Sequence, residues 1–179
     1  MEHKNIIEIL EFGWKETRQL TYDFIDLVSL EILNRRLDRP GLNTFAKQIY
    51  EMAMVQKAFI EVINEQPLDF SNVKKITFQE VDYIIKNKKE LIELLKESDN
   101  YYYKTINKTE DWETLVEMFG AKMPKWSILE TIIRHETIHH GQFAAYMYSF
   151  GIKFPESIAF LVFSCAHIFS HSFRPNSFI

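Results

Sequence analysis

Glycine and proline are scarce along this chain, and their scarcity limits the folds that the chain can adopt. The 179 residues include only five glycines and five prolines, whereas 46% of the residues are hydrophobic. A protein with many strands needs many turns, and turns depend on these two residue types. The sequence therefore predicts a few long helices in an all-α bundle, with one domain over residues 1–179.

Capping signals and hydrophobic periodicity divide the chain into five predicted helices. The run at residues 39–41 ends the first helix, Thr44 can cap the second, and a capping-box pattern at residues 77–80 opens the third. Pro124 opens the fourth helix and Gly151 ends it. The predicted helices cover residues 3–37, 44–65, 77–96, 124–150 and 155–170. A crossover loop is expected over 97–123, with a short helix near 112–118 and no strand.

Charge and cysteine content argue against several kinds of partner and compartment. The net charge is −4 and no segment concentrates lysine and arginine, so nucleic-acid binding is not expected. The most apolar run, within residues 158–169, is shorter than the roughly 20 residues that span a bilayer. The single cysteine, Cys165, fits a reducing compartment. Because the N-terminus is charged, without a signal-peptide pattern, we expect a cytoplasmic protein that binds no membrane.

Two histidines of the fourth predicted helix have the spacing of metal ligands. His135 and His139 lie four residues apart, which places both imidazoles on one side of a helix, about one turn apart. The same stripe contains Ile128, Ile132 and Tyr146, so it should face the interior. Each buried imidazole needs polar partners, and two on one apolar stripe therefore favour a metal site over separate core histidines.

Glu51 is the candidate third ligand. It is the one residue that is neither apolar nor aromatic in the run 49–55, and helical geometry aligns it with Val55, Ala58 and Val62. A carboxylate on an inward face needs a counter-charge, which a divalent cation supplies. The alternative is that Glu51 lies at the edge of the bundle and reaches water. Imidazole and carboxylate ligands suit Zn or Ni, which we favour, and also Fe or Mn.

Four segments give the chain a resemblance to a known family. They are GLNTF at residues 41–45, PKWS at 124–127, HxxxHHGQ at 135–142 and GIKFPE at 151–156. Over roughly residues 10–157 the chain resembles the DinB/YfiT-like metal-binding proteins, which are not the translesion polymerase that shares the first name. The resemblance implies a four-helix bundle of the up-up-down-down type with a long crossover, to which this chain adds a C-terminal helix.

The resemblance also implies a set of metal ligands. Members of the family hold a metal with one histidine from the second helix and the HxxxH pair from the fourth. His135 and His139 match that pair, whereas Glu51 stands at the position of the second-helix histidine. Either Glu51 completes a site of two histidines and one glutamate, or the metal site is weakened or lost. The inward face expected for Glu51 favours the first, with Glu136, His140 and Gln142 as second-shell candidates.

The family contains bacterial low-molecular-weight-thiol S-transferases and many proteins described as metal-dependent hydrolases. The resemblance therefore implies a metal-dependent enzyme with a small-molecule substrate and, for a transferase, a thiol cosubstrate. Three protein ligands leave an open position on a metal, so the reacting group would be a metal-bound water or thiolate. Four side chains could line such a pocket, although core packing explains each of them better: Trp14, Arg18, Tyr22 and Tyr146.

A zinc protease is a second interpretation of the same histidine pair. In the HExxH pattern of residues 135–139, Glu136 would be the general base. Glu156 would then be the third ligand, but it follows the helix-breaking Pro155, and no predicted edge strand could hold a peptide. The sequence therefore favours Glu51 over Glu156.

A non-catalytic module is a third interpretation. In this case the bundle has lost its metal and binds a partner. The apolar tail from Ile158 would then pack onto the bundle or against a second subunit of a homodimer. A second histidine pair, His167 and His171, has no acidic residue or further histidine nearby to complete a metal site, so helix packing or fraying of the terminus explains it better.

Overall fold

A computed structural model describes residues 2–39, 41–71 and 83–153 of the chain. Within these residues the fold is predominantly helical, which confirms the predicted all-α class, although the sequence does not predict its one short hairpin. The elements are α1 (Glu2–Leu27), α2 (Leu30–Asn34), α3 (Phe45–Ile63), α4 (Lys88–Lys108), β1 (Leu115–Met118), β2 (Ala121–Pro124) and α5 (Lys125–Ser149).

The first predicted helix is divided in two at Ser29. The backbone of Ser29 is extended, and its hydroxyl accepts a hydrogen bond from the backbone N–H of Ile32, 3.2 Å away. A serine in this conformation caps the helix that follows it, so α2 begins at Leu30 as a separate element. The prediction of one continuous helix over residues 3–37 is therefore wrong, because α1 ends at Leu27 and α2 is a separate helix.

The predicted ends of the second and fourth helices are confirmed. Thr44 caps α3, because its hydroxyl accepts from the N–H of Lys47 at 3.0 Å. At the end of α5, Gly151 has a φ of +65°, and the N–H of Ile152 donates to the carbonyl of Met147. This pattern is a Schellman motif, in which glycine accommodates the left-handed backbone at little cost.

Helix α4 differs most from its prediction. It begins at Lys88, where Asn87 and Glu90 form a capping box, and it continues to Lys108. The three consecutive tyrosines at 101–103 therefore lie within the helix rather than in a crossover loop, since Tyr102 is buried against Trp14. The capping-box pattern predicted at residues 77–80 lies outside the described residues.

Strands β1 and β2 form a hairpin between α4 and α5. Leu115 pairs with Pro124 and Met118 with Ala121, which leaves Phe119 and Gly120 as a two-residue turn. Both turn residues have positive φ, as a type I′ turn requires. The strands have only four residues each, and phenylalanine stands where asparagine or aspartate usually signals such a turn.

Contacts between the helices fix their directions. The pairs are Thr21–Glu136 and Phe24–Phe143 between α1 and α5, Trp14–Gln56 and Phe24–Phe45 between α1 and α3, and Trp14–Tyr102 and Tyr22–Asp99 between α1 and α4. Helix α5 therefore runs parallel to α1, whereas α3 and α4 run antiparallel to both. This up-down-down-up order corrects the up-up-down-down expectation. The long crossover is therefore the connection between the parallel helices α3 and α4, of which residues 72–82 lie outside the described part of the chain, and it does not lie over 97–123.

Buried polar side chains divide the core into two apolar clusters. One cluster is centred on Phe24, Phe45 and Phe143, and the other contains Trp14 and Phe59. Between them lies a group that we call the central polar layer, to which α1, α3, α4 and α5 all contribute. Its members are Arg18, Thr21, Gln56, Ser98, Asp99 and Glu136, all of them buried. The candidate metal ligands lie at the same level of the bundle.

Several expectations concern residues 154–179, which lie outside the described part of the chain. These are the helix predicted over 155–170, Glu156 as a protease ligand, and the pair His167 and His171. Among the described residues, no helix combines the length and the apolar character needed to cross a membrane.

Candidate metal centre

Helix α5 presents the two predicted ligand histidines toward α3. Ile128 and Ile132, which precede them on the same stripe, are almost completely buried, so this side of α5 faces the interior as expected. The ring centroids of His135 and His139 lie 4.7 Å apart. His139 is buried and His135 is half-buried. The pair therefore lies at the border of the core, with His135 partly accessible to solvent.

Glu51 of α3 meets the histidine pair. Each of Glu51, His135 and His139 offers one ligand atom, and these atoms all lie within 4.8 Å of one another. Ligand atoms around a tetrahedral zinc, at about 2.0–2.2 Å from the ion, lie about 3.5 Å apart. Small rotations of the side chains would thus bring the three ligand atoms to bonding distance. The structure brings together the three residues that the sequence predicts as ligands.

Burial sets the protonation states of the three side chains. It lowers the pKa of His135 to about 4 and that of His139 to about 3, where the neighbouring His135 and His140 add to the effect. Burial also raises the pKa of Glu51 to about 6, although Lys47 opposes the shift. At neutral pH both imidazoles are therefore uncharged, with a lone pair for a metal, and Glu51 is mostly ionised.

Gln48, which sequence reasoning missed, orients one of the candidate ligands. It is completely buried, and its Oε1 lies 3.3 Å from Nδ1 of His139. An Nδ1–H that donates to this oxygen leaves Nε2 as the nitrogen with a free lone pair. The sequence could have indicated this role, because Gln48 precedes Glu51 by three residues and so lies on nearly the same side of α3.

Gln142, one of the predicted second-shell candidates, also acts on His139. Its side chain raises the pKa of His139, against the larger effect of burial. Among the described residues, the buried Oε1 of Gln142 and Nε2 of Gln48 have no hydrogen-bond partner. Buried polar atoms without partners are uncommon in folded proteins, and a bound ligand or ion is one explanation for them, although Asn43 and Tyr102 also have such atoms. Both atoms belong to side chains that interact with His139.

Glu136 turns away from the histidine pair and toward α1. It is 2% exposed, its Oε2 lies 3.2 Å from Nη2 of Arg18, and its Oε1 accepts a short hydrogen bond from the hydroxyl of Thr21. A carboxylate held in this way by a cation and a hydroxyl does not face a water on the His135–His139 side. The role of Glu136 as a protease base, which the HExxH pattern suggested, is therefore not supported.

His140 lies on the same side of α5 as Glu136. Its Nε2 is 2.8 Å from the hydroxyl of Thr21 and 3.9 Å from Oε1 of Glu136. Burial lowers the pKa of His140 to about 4, and the charge of Arg18 contributes. Because it faces α1, His140 does not join the group formed by Glu51, His135 and His139.

Arg18 is the centre of the central polar layer. Its Nε lies 3.1 Å from Oδ1 of Asp99, and its Nη2 donates to Oε1 of Gln56 at 2.6 Å. Trp14 donates to the same amide oxygen, and Tyr22 donates to Asp99. Burial raises the pKa of Asp99, whereas the charge of Arg18 opposes this shift. Trp14, Arg18 and Tyr22 therefore serve packing and the buried network, as the sequence favoured.

Tyr146, the fourth side chain proposed as a possible pocket wall, is also accounted for by packing. Its ring contacts Phe45 and Phe150 at the end of the bundle where α5 finishes. It lies in the apolar cluster around Phe24 and Phe143 rather than at the histidine pair.

Comparisons with known proteins agree on the fold. Residues 1–161 match the DinB family. A DinB-like protein from Bacillus cereus shares 18% identity with a TM-score of 0.64, over 83% of this chain and 95% of that one. A mycothiol-dependent maleylpyruvate isomerase shares 16% identity with a TM-score of 0.58, over 76% of this chain but only 58% of the other. No curated protein matches the sequence.

Proposed function

The chain belongs to the DinB family, and we propose that it is an enzyme that holds one divalent metal with Glu51, His135 and His139. Its substrate would be a small molecule, and a low-molecular-weight thiol would be the cosubstrate. The observation that carries the proposal is the meeting of three ligand atoms from two helices within 4.8 Å. Zn or Ni is the favoured metal, with Fe or Mn as alternatives.

The surroundings of the three residues support a metal rather than a chance cluster. Burial disfavours the charge on Glu51, so without a metal the ionised carboxylate lowers the stability of the protein at neutral pH, where both histidines are uncharged. A cation would compensate the carboxylate while using the neutral imidazoles as ligands. Gln48 already orients His139 by its hydrogen bond to Nδ1.

The expected chemistry depends on what occupies the open position. A divalent cation lowers the pKa of a bound thiol or water, so that either can act as a nucleophile at neutral pH. In this chain Gln48 would orient His139. Glu51 would supply an anionic ligand in place of a third neutral imidazole. His135, the more accessible histidine, lies on the side from which a substrate would approach.

A thiol cosubstrate is favoured over water for one reason. A structural neighbour is by its name a mycothiol-dependent isomerase, although at 16% identity that likeness extends to this chain only as a fold. Transfer of a thiolate to an electrophilic small molecule is therefore our first proposal, and hydrolysis is the second.

Metal analysis of the purified protein tests the first step. We expect about one equivalent of metal in the wild-type protein, measured by mass spectrometry after dialysis, and less than a tenth of this in His135→Ala, His139→Ala and Glu51→Ala. His140→Ala is the matched control, because this buried histidine of the same helix faces Thr21 and should leave the metal content unchanged.

Two outcomes would contradict the ligand assignment. A wild-type protein that binds none of Zn, Ni, Fe or Mn after incubation would favour the non-catalytic module. Full metal content in Glu51→Ala, together with loss in Glu156→Ala, would favour the protease arrangement instead.

The chemistry is tested separately with two substrates. Cysteine or glutathione mixed with 1-chloro-2,4-dinitrobenzene reports thiol transfer, and 4-nitrophenyl acetate reports hydrolysis. We expect metal-dependent transfer that His135→Ala abolishes and His140→Ala retains. Hydrolysis alone, with the same dependence on His135, would establish the second proposal and exclude the first.

A further inference from the structure

A cavity lies at the end of the bundle where the hairpin meets α3. Its volume is about 550 Å³, which is within the range of small-molecule sites. It lies between the C-terminal end of α3 and strand β1. Its lining includes Val62, Glu65, Leu68, Leu115, Glu117 and Phe119.

This cavity is separate from the candidate metal centre. Glu51 and Val62 lie on the same side of α3 but eleven residues apart, or about 16 Å along the helix axis. Phe59 lies between the two sites and is buried, with its ring 6.3 Å from the ring of His135 and 6.2 Å from that of Phe119. The ring of Phe59 therefore separates Phe119, which lines the cavity, from His135.

Two residues that line the cavity have unfavourable backbone conformations. Among the described residues three non-glycines have positive φ, and two of them, Glu65 at +62° and Phe119 at +54°, line this cavity. The third, Asn43, is a residue type that tolerates this conformation, whereas a bulky phenylalanine rarely adopts it. Residues held in such conformations concentrate at ligand sites.

The side chain of Phe119 remains accessible despite this cost. It is 68% exposed, although its ring lies 6.2 Å from that of Phe70 at an interplanar angle of 27°. An exposed phenylalanine at a turn that asparagine would fit better gains little from burial in the free protein. A flat ligand group packed against the accessible face of the ring would explain why phenylalanine stands here.

The charges at the cavity favour a cationic ligand. Glu65 is paired with Lys125, with Oε1 and Nζ 2.7 Å apart, so its charge is compensated. Glu117 lies on β1, is exposed, and adds a second carboxylate to the lining. Lys122 stands opposite Glu117 in the hairpin, but no ion pair joins the two side chains among the described residues. The lining therefore contains two carboxylates and no lysine or arginine, beside an apolar wall that includes Leu68 and Leu115.

We propose that this cavity is a binding site for a small cation that carries a flat apolar group, with Phe119 packing against the flat group and Glu117 attracting the charge. The site goes beyond the proposed enzyme function and does not depend on the metal. The ring of Phe119 can also contact the cation through its face.

Calorimetric titration of the full chain with 2-phenylethylammonium tests the proposal, and 3-phenylpropionate serves as an anionic ligand of nearly the same shape. We expect one saturable site for the ammonium ion and binding of the carboxylate that is at least about fivefold weaker. Affinity should be the same after removal of metal with a chelator, so the result does not depend on whether the metal proposal holds.

Variants connect the binding to the two named residues. Phe119→Asn removes the ring but suits the turn, so it should fold normally and weaken binding of the ammonium ion on the order of fivefold. Glu117→Lys, an exposed position, should reverse the preference between the two ligands. The matched controls are Tyr148→Asn, an aromatic that is 82% exposed on α5, and Glu110→Lys, and both should bind within about twofold of wild type.

Absence of saturable binding in the wild-type protein would overturn the proposal. So would equal affinity for the ammonium ion and the carboxylate, or unchanged affinity in Phe119→Asn. A loss of affinity in Glu110→Lys as large as in Glu117→Lys would also overturn it, because it would show that only the overall charge of the protein matters.

Discussion

Replacing Arg18 by methionine would remove the only cation of the central polar layer. Asp99 and Glu136, which lie 3.1 and 3.2 Å from nitrogen atoms of Arg18, would then remain buried without a counter-charge. Removing one partner of a buried ion pair costs about 3–5 kcal/mol, whereas an exposed pair contributes less than about 1 kcal/mol. We therefore expect Arg18→Met to lower the free energy of unfolding by about 3–5 kcal/mol.

Urea unfolding followed by circular dichroism measures this loss. The matched control is Arg134→Met, because Arg134 and Glu130 are paired at 2.6 Å but both are largely exposed. Its free energy of unfolding should fall by less than about 1 kcal/mol. Arg18→Lys retains the positive charge but lacks the planar donor group, so its loss of unfolding free energy should lie between those of Arg18→Met and Arg134→Met.

A double-mutant cycle with Glu136→Gln shows whether Arg18 and Glu136 act together. We expect a coupling free energy of about 1–3 kcal/mol, because the second substitution removes a carboxylate that the first leaves without a partner. Losses that add within about 0.5 kcal/mol would refute the described network. Glu136 would then again be a candidate for the general base beside the histidine pair.

Two further predictions concern the metal centre. Burial raises the pKa of Glu51 to about 6, so the contribution of Glu51 to the stability of the metal-free protein falls as the pH rises from about 4.5 to 6, whereas the buried histidines contribute in the opposite direction. With a chelator present, Glu51→Gln should therefore raise the free energy of unfolding by about 1–2 kcal/mol at pH 7.5 and by almost nothing at pH 4. An equal gain in unfolding free energy at both pH values would contradict this prediction. Gln48→Leu should weaken metal binding by about 10–100-fold in a competition titration, whereas Gln66→Leu should not change it. Unchanged affinity in Gln48→Leu would show that the hydrogen bond to His139 is unimportant.

The three candidate ligands could be predicted because each lies on a regular helix. Their positions follow from 3.6 residues per turn and from the apolar residues above and below them, and neither argument needs the tertiary structure. The assignment of Glu136 could not be settled in the same way. Its partner Arg18 lies 118 positions earlier in the chain, so only the packing of α1 against α5 shows that the carboxylate is already bound.

The limits of helix α4 show where local signals compete. The capping box of Asn87 and Glu90 follows the same rule as the pattern at residues 77–80, and the sequence alone did not favour the later one. Three adjacent tyrosines also resemble a loop or a strand more than a helix, because aromatic residues have only moderate helix propensity. Burial of Tyr102 against Trp14 overrides that propensity, and this is a contact between helices rather than a property of the segment.

The central polar layer also fixes the register in which the helices pack. Apolar faces alone permit a helix to slide by one turn, about 5.4 Å, because apolar contacts have little directional preference. Such a slip of α1 would carry Arg18 into an apolar cluster and leave Asp99 and Gln56 without their partner. Because Gln56 belongs to α3 and Glu136 to α5, the same arginine aligns the two helices that carry Glu51 and the histidine pair. The spacing of the candidate ligands is thus set by a group of side chains that would not touch a metal bound by those ligands.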